Sequence, residues 1–196
     1  HHYKAPENTN KGWMNYTARS EIKMNGDTHI AETEGEILIP NANDRVGLIS
    51  DIDDTILVSH STTTFQKLRL MLFRNAHTRK PFPGATAFYT ALHHGFTGNE
   101  SNPVFHVSSS EWNLYDFVVE FCEINDLPKG VFLLQDLKVG LHELLKQAGG
   151  NHRHKEVKFN TILETFPGQR FVLLGDSGQR DPEIYYKIVK KFPEKI

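Results

Sequence analysis

From Val46 onward, apolar runs of four or five residues alternate with stretches of helical periodicity, and this alternation limits the chain to one class of fold. The runs are Val46-Gly47-Leu48-Ile49, Val104-Phe105-His106-Val107, Val131-Phe132-Leu133-Leu134 and Phe171-Val172-Leu173-Leu174. Between them Leu114, Phe117, Val118, Phe121 and Cys122 share one helical face, as do Phe159, Ile162, Leu163 and Phe166. Pro167-Gly168 ends the second of these helices, and a last one runs from Pro182 through Ile184, Tyr185, Ile188 and Val189 to Phe192, where Pro193 stops it. Strands alternating with helices in this way predict βαβ units around a parallel sheet, a three-layer α/β fold. Lys195-Ile196 reads as the first step into a further edge strand. Before Val46 the pattern is weak. Residues 1 to about 35 give no element, and Glu36-Ile37-Leu38-Ile39-Pro40 reads as a short strand ended by proline.

Composition narrows the functions. The 196 residues make one domain with at most a fragment of another, and 38% are apolar, enough for a real core. With 22 Lys and Arg against 24 Asp and Glu, the net charge of −2 argues against a nucleic-acid binder. The single cysteine, Cys122, makes neither an internal disulfide nor a thiolate metal cluster. No run approaches the roughly 18 apolar residues of a membrane-spanning helix. The expected location is cytoplasmic with peripheral membrane contact. Because the chain opens on His1-His2 without methionine, secretion through a removed leader stays open.

Parallel sheets bind ligands beyond the carboxyl ends of their strands. The first strand leads into Ser50-Asp51-Ile52-Asp53-Asp54-Thr55, the second into Ser108-Ser109-Ser110-Glu111, and the fourth into Gly175-Asp176 through Asp181. His152-Arg153-His154-Lys155 precedes the fourth strand's helix. Asp51 and Asp53, two apart on extended chain, face the same side. Two such carboxylates repel unless a divalent cation sits between them, and Mg²⁺ suits carboxylate and phosphate oxygens, with Asp176 to complete its ligands. An aspartate beside Mg²⁺ can attack phosphorus, while a second carboxylate protonates the leaving alkoxide and then activates water. Ser108 and Lys155 are candidates to hold the phosphate oxygens, with Lys158 competing for the lysine's role. Ser109 and Ser110 share what reads as a loop at a helix N-terminus, where N–H groups favour an anion. Asp181 before Pro182 reads as a helix start as well as a contributor to the metal site. A histidine zinc site lacks cysteine support, and the β/α alternation excludes a serine protease at Asp176-Ser177-Gly178.

These four clusters, in this order, closely resemble the motifs of the haloacid dehalogenase (HAD) superfamily of phosphatases. Those motifs are D-x-D-x-T (Asp51 to Thr55), a serine after the second strand (Ser108), a lysine (Lys155) and an acidic G-D-x4-D (Gly175, Asp176, Asp181). The resemblance implies a Rossmann-like sheet with a small cap inserted after the first strand, at about residues 57–83. More specifically, residues 45–192 resemble the catalytic domain of the actin-patch-protein type of phosphatidate phosphatase and its bacterial relatives. The stretches that carry this likeness include Phe73-Arg-Asn-Ala-His-Thr-Arg79, Pro81-Phe-Pro-Gly84 and Val107-Ser-Ser-Ser-Glu-Trp-Asn-Leu-Tyr115. The family implies Mg²⁺-dependent removal of phosphate from phosphatidate, with Asp51 the nucleophile and Asp53 the acid and base. It also implies a metal held by Asp51, Asp176, Asp181 and the main-chain carbonyl of Asp53. A β-sandwich usually precedes this domain, so residues 1–44 are expected to hold its tail and residues 45–196 the phosphatase.

From Ile56 to Asn99 there is no Asp or Glu, whereas Lys67, Arg69, Arg74 and Arg79 lie among Phe65, Leu68, Leu70, Met71, Leu72 and Phe73. A basic apolar insertion suits an anionic lipid headgroup at a membrane interface, or is a half-buried helix with its cationic stems laid over apolar surface. Thr55 is either a turn residue or a substrate contact. The expected partner is phosphatidate, with no nucleic acid. The rival readings are a HAD phosphatase of a soluble phosphate ester and a lipid-surface module with vestigial catalysis.

Overall fold

The structure is a computed structural model that describes residues 12–24, 26–40, 46–52, 81–135, 151–175 and 181–196, with the backbone alone at 109–110 and 151–154. The chain divides into two units, His1–Asn43 and Asp44–Ile196.

The first unit is an antiparallel hairpin of β1 (Trp13–Met24) and β2 (Asp27–Leu38), paired from Trp13↔Leu38 to Met24↔Asp27. It overturns the reading of residues 1–35 as lacking an element and of Glu36–Pro40 as a separate short strand. Most of its side chains are exposed on both faces, so no one-sided apolar alternation marks it. The marker is the two-residue Asn25-Gly26 connection, a strong hairpin signal, where Gly26 takes φ 91°. Pro40 falls just beyond the strand's end.

The second unit holds β3 (Val46–Asp51), α1 (Ala85–His94), β4 (Val104–Glu111), α2 (Tyr115–Ile124), β5 (Val131–Gln135), α3 (Asn151–Thr165), β6 (Arg170–Leu174) and α4 (Asp181–Lys191). The four strands form one parallel sheet in the order β5-β4-β3-β6, as the four apolar runs predict. Strand β3 is central and buried from Gly47 to Asp51. Gly47 is required there, because a Cβ would lie 2.6 Å from the Phe171 ring on β6. Successive residues of β4 face opposite sides of the sheet. The Phe105 ring meets Phe166, just past α3, at 5.4 Å. The His106 ring stacks on Phe132 at 4.9 Å, and Phe132 meets Tyr115 of α2 edge-on. Helices α2 and α3 therefore cover opposite faces, which makes three layers.

On the α2 face, Ile52, Tyr89, Leu114, Val118, Phe121, Cys122 and Leu127 form one buried cluster. Helix α1 supplies Tyr89 and was not expected from the sequence. It opens after Pro83-Gly84, and Asn102 closes it by donating from its side-chain amide to the Leu92 carbonyl at 2.9 Å. Most of the expected cap, residues 57–80, lies outside the described residues. Lys195 is another correction. It sits in a turn rather than a strand, and its carbonyl accepts one bond from the Phe171 N–H at the outer edge of β6.

His106 is fully buried, and neither ring nitrogen has a hydrogen-bond partner in good geometry among the described residues. Burial pushes its pKa down from 6.5 to about 4, and the Pro128 main chain offsets only part of that shift. As pH falls, the unfolded chain therefore takes up this proton first. The stability linked to the neutral ring is complete above pH 6.5 and is lost as pH drops toward 4, by about 3 kcal/mol. Denaturation midpoints measured across this window should fall more steeply for the parent than for His106→Leu, and equal slopes would refute a buried neutral ring.

Candidate active site

Asp51 ends β3 at the centre of the sheet, where a parallel arrangement presents its ligand site, and it is 1% exposed. Lys155 reaches it from α3, 104 residues along the chain, and its Nζ donates to Asp51 Oδ2 at 2.8 Å. The same ammonium donates to Asp181 Oδ1, at the start of α4, also at 2.8 Å. All three side chains are almost fully buried. Burial works against the charge on Lys155, but the carboxylates of Asp51 and Asp181 outweigh it and hold the pKa above the ordinary lysine range. Lys155 therefore stays an ammonium. It can donate and neutralise, but it cannot act as a base.

The second oxygen of Asp181, Oδ2, is buried with no hydrogen-bond partner among the described residues. It lies against the end of β6, because a Cβ on Gly175 would come within 2.8 Å of it. Glycine there lets the carboxylate close on the main chain one residue before Asp176. Tyr185 of α4 fixes the same junction by donating its hydroxyl to the Leu174 carbonyl at 2.6 Å. Two carboxylates and one ammonium leave this centre one negative charge in excess, with a buried oxygen unsatisfied. Such an oxygen is costly unless something positive meets it. A divalent cation with oxygen ligands fits that requirement. The described residues bring two carboxylates together, short of a group of three potential metal ligands.

Ser108 is buried one residue beyond the β4 position paired with Asp51. Lys158, three residues along α3 from Lys155, donates to the Ser108 carbonyl at 2.9 Å. The two lysines are thus separated in space. Lys155 meets the carboxylates, and Lys158 braces the neighbouring strand end. The expected serine loop is corrected: β4 runs on to Glu111, which pairs with Gln135 after an irregularity beyond Val107. Ser109 and Ser110 lie within that irregular stretch, and α2 begins only at Tyr115, after a turn of 3₁₀-helix at Trp112–Leu114. They are not at a helix N-terminus. Asp53, Asp54, Thr55, Lys67, Arg69, Arg74, Arg79 and Asp176 lie outside the described residues.

Two contributors were missed by the sequence reasoning. Ser50 donates its hydroxyl to the Asp51 carbonyl at 3.0 Å and also hydrogen-bonds the Tyr89 hydroxyl. Since Ser50 spends its proton on Asp51, Tyr89 must donate to Ser50. Burial pushes the Tyr89 hydroxyl up to about 12, with the Ser50 bond opposing and the Asp51 charge adding, so it keeps the proton this requires. No short-range signal in the sequence links Tyr89 to Asp51.

The family model described as "Phosphatidate phosphatase APP1, catalytic domain" matches residues 46–196. Phosphatidate phosphatase APP1 of Saccharomyces cerevisiae is 29% identical over 155 residues, and an uncharacterized protein of Schizosaccharomyces pombe is 23% identical over 152. Each match covers 77% of this chain and 24% of the relative, so the chain spans about a quarter of their length. No solved structure matches.

Removing Lys155 leaves two buried carboxylates without their shared counter-charge. Lys155→Met should lower stability by about 3–5 kcal/mol in urea titrations. Lys158→Met, which loses the bond to the Ser108 carbonyl but strands no buried carboxylate pair, should cost about 1–2 kcal/mol. Equal losses would mean that the buried ion triad does not hold the sheet end together.

Proposed function

The chain belongs to the family of the phosphatidate phosphatase APP1 catalytic domain, and on that premise we propose that it removes phosphate from phosphatidate, leaving diacylglycerol. The observation that carries this reading is the buried Asp51–Lys155–Asp181 centre at the carboxyl end of the central strand. An aspartate there is ionised and anchored through Oδ2, as a nucleophile toward phosphorus must be.

In the proposed cycle an Asp51 oxygen attacks phosphorus as the bond to the glycerol oxygen breaks. Asp53 gives its proton to the departing alkoxide. Asp53 then takes a proton from water, which attacks the aspartyl-phosphate, and inorganic phosphate leaves as the Asp51 carboxylate is restored. Ser108 and Lys155 bind the phosphate oxygens, with Ser109 and Ser110 as further contacts. Lys155, fixed as an ammonium, stabilises charge on those oxygens without taking part in proton transfer. The Tyr89–Ser50 bonds hold the main chain at Asp51, which keeps the nucleophile in position. Asp51, Asp176, Asp181 and the Asp53 carbonyl would hold Mg²⁺, the unsatisfied Oδ2 of Asp181 being the supporting observation. When bound, Mg²⁺ would offset the negative charge of the phosphate and the carboxylates.

The proposed domain plan is a HAD-like phosphatase from residue 45, preceded in residues 1–44 by the tail of a β-sandwich. Lys67, Arg69, Arg74 and Arg79 are proposed to meet anionic lipid from a cytoplasmic, peripheral position. No helix among the described residues is long and apolar enough to cross a membrane.

The test is phosphate release from phosphatidate in mixed micelles, with Mg²⁺ or EDTA, for the parent protein beside Asp51→Asn. Release should require Mg²⁺ and fall at least about a thousandfold in the variant. Undiminished release by Asp51→Asn would remove it as nucleophile. Mg²⁺-dependent cleavage of an aryl phosphate without release from lipid would keep the chemistry and discard the substrate.

A further inference from the structure

A cavity of about 450 Å³ opens beside the proposed phosphate centre, within the size range of small-molecule sites. Its walls include Phe82, Phe88 and Tyr89 on one side and Leu173, Leu174 and Gly175 on the other. No charged side chain lines it among the described residues. Its position is set by the sheet register. Leu173 and Leu174 pair with Ile49 and Ser50, so the strand wall runs level with the residues leading into Asp51. Gly175, at its inner end, is the residue that Asp181 Oδ2 closes upon. Tyr89, at its floor, is bonded to Ser50. The apolar cavity and the polar centre therefore share walls.

The outer lip is unusual for a protein surface. Phe88 is 53% exposed and Phe82 41%, and the Phe88 ring meets the buried Tyr89 edge-on at 6.0 Å. A second cavity, of about 1130 Å³, begins at the same Phe82–Gly84 turn and continues along α1 past Ala87, Thr90 and Ala91. The lining thus begins at Tyr89 and Gly175, next to the polar centre, and continues through the Phe82–Gly84 turn along α1 to His94 and Asn125, open on its outer side among the described residues. A compact substrate needs a closed pocket, whereas a long chain that leaves the site needs an open track. We propose that the Phe82–Phe88–Leu174 cavity is the subsite for an acyl chain of the phosphate-bearing substrate, seating the chain while the phosphate meets Asp51 and Lys155. This inference rests on the lipid phosphatase reading and adds the residues that select for chain length.

The experiment compares kcat/KM for dioctanoyl and dibutanoyl phosphatidate in the parent protein, Phe88→Ala and Phe82→Ala. Phe96→Ala serves as control, since Phe96 is fully exposed past the far end of α1 and outside both cavities. The parent should favour the longer ester. Phe88→Ala and Phe82→Ala should each reduce that preference roughly tenfold, the scale of losing one large apolar contact, while Phe96→Ala retains it. Lipid turnover with an unchanged chain-length ratio in both phenylalanine variants would overturn the subsite alone. No turnover of either lipid by the parent, with an aryl phosphate still cleaved, would overturn the lipid reading and the subsite with it.

Discussion

The Lys155 ammonium, wedged between Asp51 and Asp181, is the interaction on which the site depends. It joins the central strand, α3 and α4, three segments far apart in sequence. At an effective dielectric of about 20, each 2.8 Å contact is worth roughly 6 kcal/mol of gross attraction. Removing three charges from water costs several kcal/mol apiece, so the net stabilisation is small. Well-packed apolar residues would serve stability equally well. What apolar residues would not supply is a carboxylate oriented beside a fixed positive charge, which is what the proposed attack on phosphorus needs. The triad is better explained by the chemistry than by the fold.

Legibility in the sequence followed burial. The four sheet strands were plain because a parallel sheet flanked by helices reads as continuous apolar runs, clearest in β3, which is buried from Gly47 to Asp51. The β1–β2 hairpin was missed for the opposite reason, since with both faces largely exposed nothing forces a pattern, and only Asn25-Gly26 signalled it. Helix α1 escaped because Tyr89 is its one buried side chain, too little to mark a stripe. At the end of β4 the serines suggested a loop, yet the chain stays paired through Glu111 across an irregularity that spacing alone does not reveal.

The site residues divide along similar lines. Asp51, Ser108, Lys155 and Asp181 were named from their places after strands and before helices, and the fold brings Lys155 into contact with both aspartates. The sequence favoured Lys155 over Lys158, and the fold shows how they differ: Lys155 meets the two carboxylates, whereas Lys158 donates to the Ser108 carbonyl. Asp181 before proline reads as a helix start, and α4 does begin there. One of its oxygens meets Lys155, and the other has no hydrogen-bond partner among the described residues. The local rule thus found the residue and the start of its helix, but not its contact with Lys155.

Tyr89 shows why the polar and apolar halves of the site belong to one design. Its ring lies in the core cluster with Phe121 and Val118 and lines the cavity, while its hydroxyl donates to the Ser50 hydroxyl, which in turn donates to the Asp51 carbonyl. A phenylalanine there would pack as well but leave a buried serine oxygen without its donor; a smaller polar residue would keep a donor but open the floor. Because one rigid side chain meets both needs, the apolar wall is held in register with Asp51, the proposed nucleophile. An ester seated against that wall would have its phosphate placed at Asp51 without any separate device to align the two.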